Sequence, residues 1–160
     1  MTGFEPLLVK QDWNKVSDRD WADVLAGLPL FEGIGKRDLR KIAREAEFAE
    51  FSPGDTVVAT GAPADYFYVI LGGEAKASAK PAGRGLTTGD YFGEMGLLDN
   101  QPRSASVIAT SELHVMRLPR QTFDDVIARH PRVARRFLTE LGGRIRKLEQ
   151  QAAGTPKAGV

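Results

Sequence analysis

Apolar positions fall into three patterns along the chain. Between about residues 17 and 47 they recur at helical spacing. Trp21, Val24, Leu25 and Leu28 share one helix face, with Ser17 as a plausible N-cap and Asp20 three residues on. Gly27 and Pro29 end that helix. A second helix is expected after Gly35, with Leu39, Ile42, Ala43 and Ala46 on one side. Residues 1–16 carry weaker signals and read as an N-terminal extension.

From about residue 48 to 118 the pattern shortens. Turn signals recur at Pro53-Gly54-Asp55, Gly61-Ala62-Pro63, Gly72-Gly73, Pro81-Ala82-Gly83, Thr88-Gly89-Asp90 and Asn100-Gln101-Pro102. Between them lie β-prone runs at 56–60, 66–71, 74–79, 105–110 and 113–118. Many short strands between turns predict an antiparallel sandwich, roll or barrel. The run Gly93-Glu94-Met95-Gly96-Leu97-Leu98 has weak β character and suits a short helical turn.

The last section returns to helix. Pro119 suits the first turn of a helix running to about Arg129. Pro131 opens a longer one. There Ala134, Leu138, Leu141, Ile145 and Leu148 follow at spacings of four and three, a heptad pattern. The same stripe serves either a helix packed on its own domain or a dimer seam. Gly142-Gly143 interrupts it and is a candidate hinge. One domain is expected over 17–150, with a disordered tail over 151–160.

Composition narrows the chemistry. The 160 residues include no cysteine and two histidines, which excludes a disulfide scaffold, a thiol nucleophile and a His-rich metal cluster. No apolar run approaches the roughly 20 residues of a spanning helix, and the N-terminus lacks a basic signal region. A cytoplasmic protein without a membrane segment is the default. The net charge of +1 conceals a basic end: residues 129–160 carry eight basic and two acidic side chains.

One stretch carries candidate chemistry. From Gly89 to Val107 the chain leaves a strand, passes Gly93, makes a helical turn and returns through Pro102-Arg103. A helix start offers free N–H groups, and Gly93 lets a ligand approach the backbone. Arg103 adds a planar fork suited to phosphate, and Glu94 can accept from hydroxyls. Each residue alone has an ordinary surface or turn role. Their order and spacing together describe a site for a ligand with a phosphate and a vicinal hydroxyl.

Phe92-Gly93-Glu94-Met95-Gly96-Leu97-Leu98 followed by Pro102-Arg103-Ser104-Ala105-Ser106-Val107 resembles the phosphate-binding cassette of cyclic nucleotide-binding domains. Leu30-Phe31, Ser52-Pro53-Gly54-Asp55, Asp65 to Leu71 and Gly72-Gly73-Glu74 resemble that family's earlier strands and turns, so the likeness covers about 25–150. It implies an α+β fold: an antiparallel β-roll, jelly-roll-like, flanked by N-terminal helices and a C-terminal helix pair. It implies a cyclic nucleotide inside the roll, with Arg103 on the cyclic phosphate and Glu94 on the ribose 2′-hydroxyl. Backbone amides of Gly93 and Met95 would support them, and Ser104 would lie near phosphate and base. Family members that prefer cGMP often carry Thr at that position. Cyclic AMP binders often carry Ala, and bacterial activators can carry Ser. Ser104 therefore leans to cAMP over cGMP without deciding it.

The resemblance also implies that the 131–150 helix caps the base or forms a dimer. Leu141, Arg144, Ile145 and Leu148 are its candidate lid residues, with Arg144 or Arg146 available to stack on the base. No recognition helix of a helix-turn-helix fits after residue 150. The expectation is therefore a stand-alone, non-enzymatic sensor without a DNA-binding domain, acting through an effector protein. Two alternatives stay open: a ligand-free roll acting as an interaction module, and a cupin-like enzyme. The second would need metal ligands that His114 and His130 alone do not supply.

Overall fold

The computed structural model describes residues 18–78 and 83–154. Its elements run α1 (Asp18–Ala26), a 3-10 turn (Pro29–Phe31), α2 (Lys36–Glu45), β1 (Glu47–Phe51), β2 (Thr56–Val58), β3 (Tyr66–Gly72), β4 (Ala75–Ala77), β5 (Arg84–Leu86) and β6 (Tyr91–Phe92). They continue with α3 (Glu94–Asp99), β7 (Val107–Ala109), β8 (Leu113–Pro119), α4 (Arg120–Arg129) and α5 (Pro131–Gly154). Ser17 and Ala79, like the N-terminal extension, lie outside the described residues.

The strands form two antiparallel four-stranded sheets, in the orders β1-β8-β3-β6 and β2-β7-β4-β5. Alternation along β3 explains how they stack. Tyr68 and Ile70 point between the sheets, into a core with Ala75, Ala77, Leu86, Val107 and Ala109 of the second sheet. Phe67, Val69 and Leu71 point the other way, into a core with Trp21, Leu25, Leu39, Phe123 and Phe137 of the helices. The first sheet is thus buried on both faces, which is why its central strand reads as an unbroken apolar run. This is the β-roll with flanking helices.

Three strands differ from expectation. β1 follows α2 with only Ala46 between them, so no turn residue marks the change. Its Phe48 stacks on Trp21 with ring centroids 4.1 Å apart. β5 and β6 have three and two residues, too short to register between the turn signals at 81–83 and 88–90.

The expected tail boundary at 151 is also corrected. α5 is one helix of 24 residues, unbroken at Gly142-Gly143 and ending at Gly154. Gln150, Gln151, Ala152 and Ala153 are good helix formers and carry it on; residues 155–160 lie outside the described residues.

Candidate functional site at the 92–107 segment

β6 delivers the chain to Gly93 at φ +91°, a left-handed conformation, and α3 starts at the next residue. A Cβ on Gly93 would lie 2.5 Å from Arg103 Nη1 and 3.1 Å from the Tyr66 carbonyl oxygen. The position therefore requires glycine for both its torsion and its space. Gly96 is needed for packing: its Cβ would meet Ala64 Cβ at 2.5 Å.

Arg103 is 7% exposed. Nη1 donates to the Gly93 carbonyl at 2.8 Å and Nη2 to the Tyr66 carbonyl at 2.5 Å. Its backbone is fixed too: its N–H donates to Ala62 O, and its carbonyl accepts from Gly61 N–H. The guanidinium lies over the Tyr68 ring, 5.8 Å from the centroid. Burial pulls its pKa below the ordinary arginine value, while Tyr68, Asp65 and Glu94 oppose the shift. Among the described residues no carboxylate comes within the 4 Å of an ion pair with it. Ser104, beside it, is exposed.

Glu94 opens α3 and is 4% exposed. Burial raises its pKa above the usual carboxylate value; its own backbone N–H, Arg144 and Arg84 act against that shift. Arg144 Nη1 lies 3.4 Å from Glu94 Oε1 and 3.9 Å from Met95 Sδ. Met95 is otherwise half-exposed.

α5 reaches this segment through one stripe. Phe137 meets Tyr91 edge-on at 5.1 Å, Tyr91 donates its hydroxyl hydrogen to Glu140, and Arg144 faces Glu94. Desolvation and Glu140 push the Tyr91 hydroxyl's pKa up. Of the four candidate lid residues, Arg144 touches the cassette. Leu141 is half-buried, whereas Ile145 and Leu148 are 55% and 57% exposed on another face. Phe137 and Glu140 are not among the candidate lid residues; with Arg144 they form a stripe offset by one position from the heptad.

Arg120 is a third residue that sequence reasoning missed. Its guanidinium donates to Asn100 Oδ1 at 2.8 Å, to Leu97 O at 3.3 Å and to Ala64 O at 2.6 Å. It clamps the end of α3, where Asn100 takes φ +57°, onto the segment entering β3. No local pattern marks it; its partners lie 20 to 56 residues away.

His114 faces Glu50 and Glu112, and His130 faces Asp38. Among the described residues no three His, Cys, Asp or Glu side chains converge as a metal site would require. Nor, among the same residues, is any helix long and apolar enough to cross a membrane.

A two-sheet roll carrying Gly93, Glu94 and Arg103 on one strand–helix–strand segment defines a class of ligand-binding regulatory domain. The cyclic nucleotide-binding domain family matches residues 48–130, and the chain belongs to that family. A cAMP-dependent protein kinase regulatory subunit from Colletotrichum orbiculare is 32% identical over 127 residues, covering 78% of this chain and 32% of that protein. A CRP-like cAMP-activated global transcriptional regulator of Mycobacterium tuberculosis is 28% identical over 137 residues, covering 82% of this chain and 61% of that protein. The regulatory domain of Toxoplasma gondii PKA, solved with cAMP, superposes with a TM-score of 0.68 at 25% identity, over 77% of this chain and 50% of that one. The chain thus spans about a third of the kinase subunit it resembles.

Proposed function

We propose that this chain is a cyclic nucleotide sensor that binds its ligand inside the roll and signals through α5. The observation that carries the reading is Arg103: a buried guanidinium held by two carbonyl oxygens, with no carboxylate within 4 Å among the described residues. Such a charge is costly without an anion, and a cyclic phosphate supplies one. In this reading Arg103 pairs with the phosphate and Glu94 accepts the ribose 2′-hydroxyl. Backbone amides of Gly93 and Met95, together with Ser104, complete the phosphate side. The named relatives and Ser104 favour cAMP over cGMP.

α5 is the output element, since Arg144 reaches Glu94 and Met95 while Phe137 and Glu140 hold Tyr91 beside the cassette. Its role is regulatory rather than catalytic, in the cytoplasm, through a partner protein. The exposed stripe of Leu138, Ile145 and Leu148 supports a homodimer seam. Light scattering would reveal that seam as a doubled mass.

Calorimetric titration with cAMP and cGMP tests the proposal. Wild type binds, and Arg103→Ala loses roughly 1.5–3 kcal/mol, about 10- to 150-fold in Kd. If neither nucleotide binds the wild type, the reading fails and the roll is an interaction module. The carbonyl-bound geometry of Arg103 is the feature that favours that second reading, because it serves a purely structural role as well.

A further inference from the structure

The sulfur chemistry of this chain belongs to methionine. The sequence has no cysteine and three methionines, Met1, Met95 and Met116. Met1 lies outside the described residues. Met116 is 0% exposed, in the core between the first sheet and the helices. Met95, the second residue of α3, is 43% exposed. An oxidant in solvent therefore meets Met95 and not Met116, since susceptibility follows exposure.

Its neighbour separates Met95 from an ordinary exposed methionine. Arg144 Nη1 faces both Met95 Sδ, at 3.9 Å, and Glu94 Oε1, at 3.4 Å. Neither contact is tight. A charge-assisted bond from arginine to a carboxylate closes to about 2.7–2.9 Å, and a thioether is a weak acceptor. The guanidinium thus stands between two acceptors, and the oxidation state of the sulfur decides how they compete. Oxidation turns the weak acceptor into a polar sulfoxide. Carried on the Arg144 side of a sulfur 3.9 Å from Nη1, the new oxygen falls within ordinary hydrogen-bond distance of that nitrogen.

We propose that Met95 is a peroxide-modified site, and that its sulfoxide draws Arg144 off Glu94. The Met95 sulfur attacks one oxygen of hydrogen peroxide. The S–O bond forms as the O–O bond breaks, and the departing hydroxide takes the proton left on the new S–OH and leaves as water. Sulfur loses two electrons and the peroxide gains them. A dithiol, through a methionine sulfoxide reductase, returns the thioether with release of water and a disulfide. The consequence falls on Glu94, which is 4% exposed. Arg144 and Arg84 favour its charged form, whereas burial and Glu140 oppose it. With Arg144 turned to the sulfoxide, the carboxylate keeps only the weaker influence of Arg84. Met95 belongs to the cassette, so the modification acts on the same segment that the proposed reading assigns to the ligand.

The test uses the full chain without nucleotide, so that its outcome does not depend on ligand binding. After limiting hydrogen peroxide, digestion and mass spectrometry should show Met95 gaining one oxygen about tenfold faster than Met116. The Glu94 carboxyl, followed by carbon NMR, should titrate at higher pH once Met95 is oxidised. Treatment with sulfoxide reductases and dithiothreitol should reverse that shift. Peroxide should leave the Glu94 titration of Met95→Leu where it was. Arg144→Gln should oxidise at Met95 without any further movement of Glu94. Circular dichroism melts confirm that each variant is folded. Equal oxidation of Met95 and Met116, an unmoved Glu94 titration in the oxidised wild type, or the same shift in treated Met95→Leu or Arg144→Gln would each overturn the proposal.

Discussion

Arg144 Nη1 stands 3.4 Å from Glu94 Oε1, so α5 and the buried acid of the cassette share one ion pair. The pair is asymmetric, with Glu94 buried and Arg144 about a third exposed. Removing the cation leaves a buried carboxylate without its partner. Arg144→Ala should cost roughly 1 kcal/mol, a fall of about 3 °C in Tm. Hydrogen exchange over 138–150 should accelerate relative to α4. Unchanged exchange there would show that Arg144 does not hold the helix down.

The same acid sets a pH dependence. Its folded pKa is raised above the ordinary value of 4.5, chiefly by burial. Between the two values the native state holds a proton that the unfolded chain has released. The stability tied to this group is therefore complete below pH 4.5 and is lost as pH rises through the folded value. Urea denaturation at pH 4, 5, 6 and 7 should show wild type losing stability relative to Glu94→Gln across that window. Parallel profiles would mean that Glu94 is not desolvated.

Gly93→Ala combines two penalties. The left-handed torsion costs an L-residue about 1–2 kcal/mol, and the methyl group displaces Arg103 from the Gly93 and Tyr66 carbonyls. Stability should fall by about 2 kcal/mol or more, and cAMP binding should fall with it. A variant that binds as wild type would place the ligand away from Arg103.

Arg120 touches the cassette only from behind. Arg120→Ala removes three donated hydrogen bonds. A loss of roughly 2–3 kcal/mol in chemical denaturation is expected. Nucleotide affinity should weaken although Arg103 and Glu94 are intact, and Arg120→Lys, which restores one donor to Asn100, should recover part of it.

Much of this arrangement was legible because it is local. The helix stripe at Trp21, Val24 and Leu25 lies on the buried face, and Leu39, Ile42 and Ala43 do likewise. The turn at 93 and the short helix after it follow from glycine placement and weak β character. What was hidden depends on distance in sequence or brevity in space. β6 is two residues long and exists as a strand only because Tyr68 and Val69 lie opposite it. The grip of α5 on the cassette joins residues 49 or 50 positions apart, Tyr91 with Glu140 and Glu94 with Arg144. A heptad count finds the exposed stripe first, since Leu138, Ile145 and Leu148 are its most regular members, and the docked stripe mixes Phe137 with charged residues.

One cross-strand row spans the whole first sheet: Glu47 opposite Arg117, Arg117 opposite Tyr68, Tyr68 opposite Phe92. Tyr68 and Phe92 are stacked at 4.9 Å, and Phe92 precedes Gly93. On the reverse of that sheet, Phe67 and Val69 lie among the helices. The sheet is therefore a diaphragm between two closely packed compartments. Tyr68, which faces the inside of the roll, is preceded along β3 by Phe67 on the other face, and Phe67 meets Phe137 at 5.7 Å across the helical core. In the proposed reading a ligand that displaces Tyr68 also loads the helical side of the sheet, because closely packed side chains pass displacement to their neighbours.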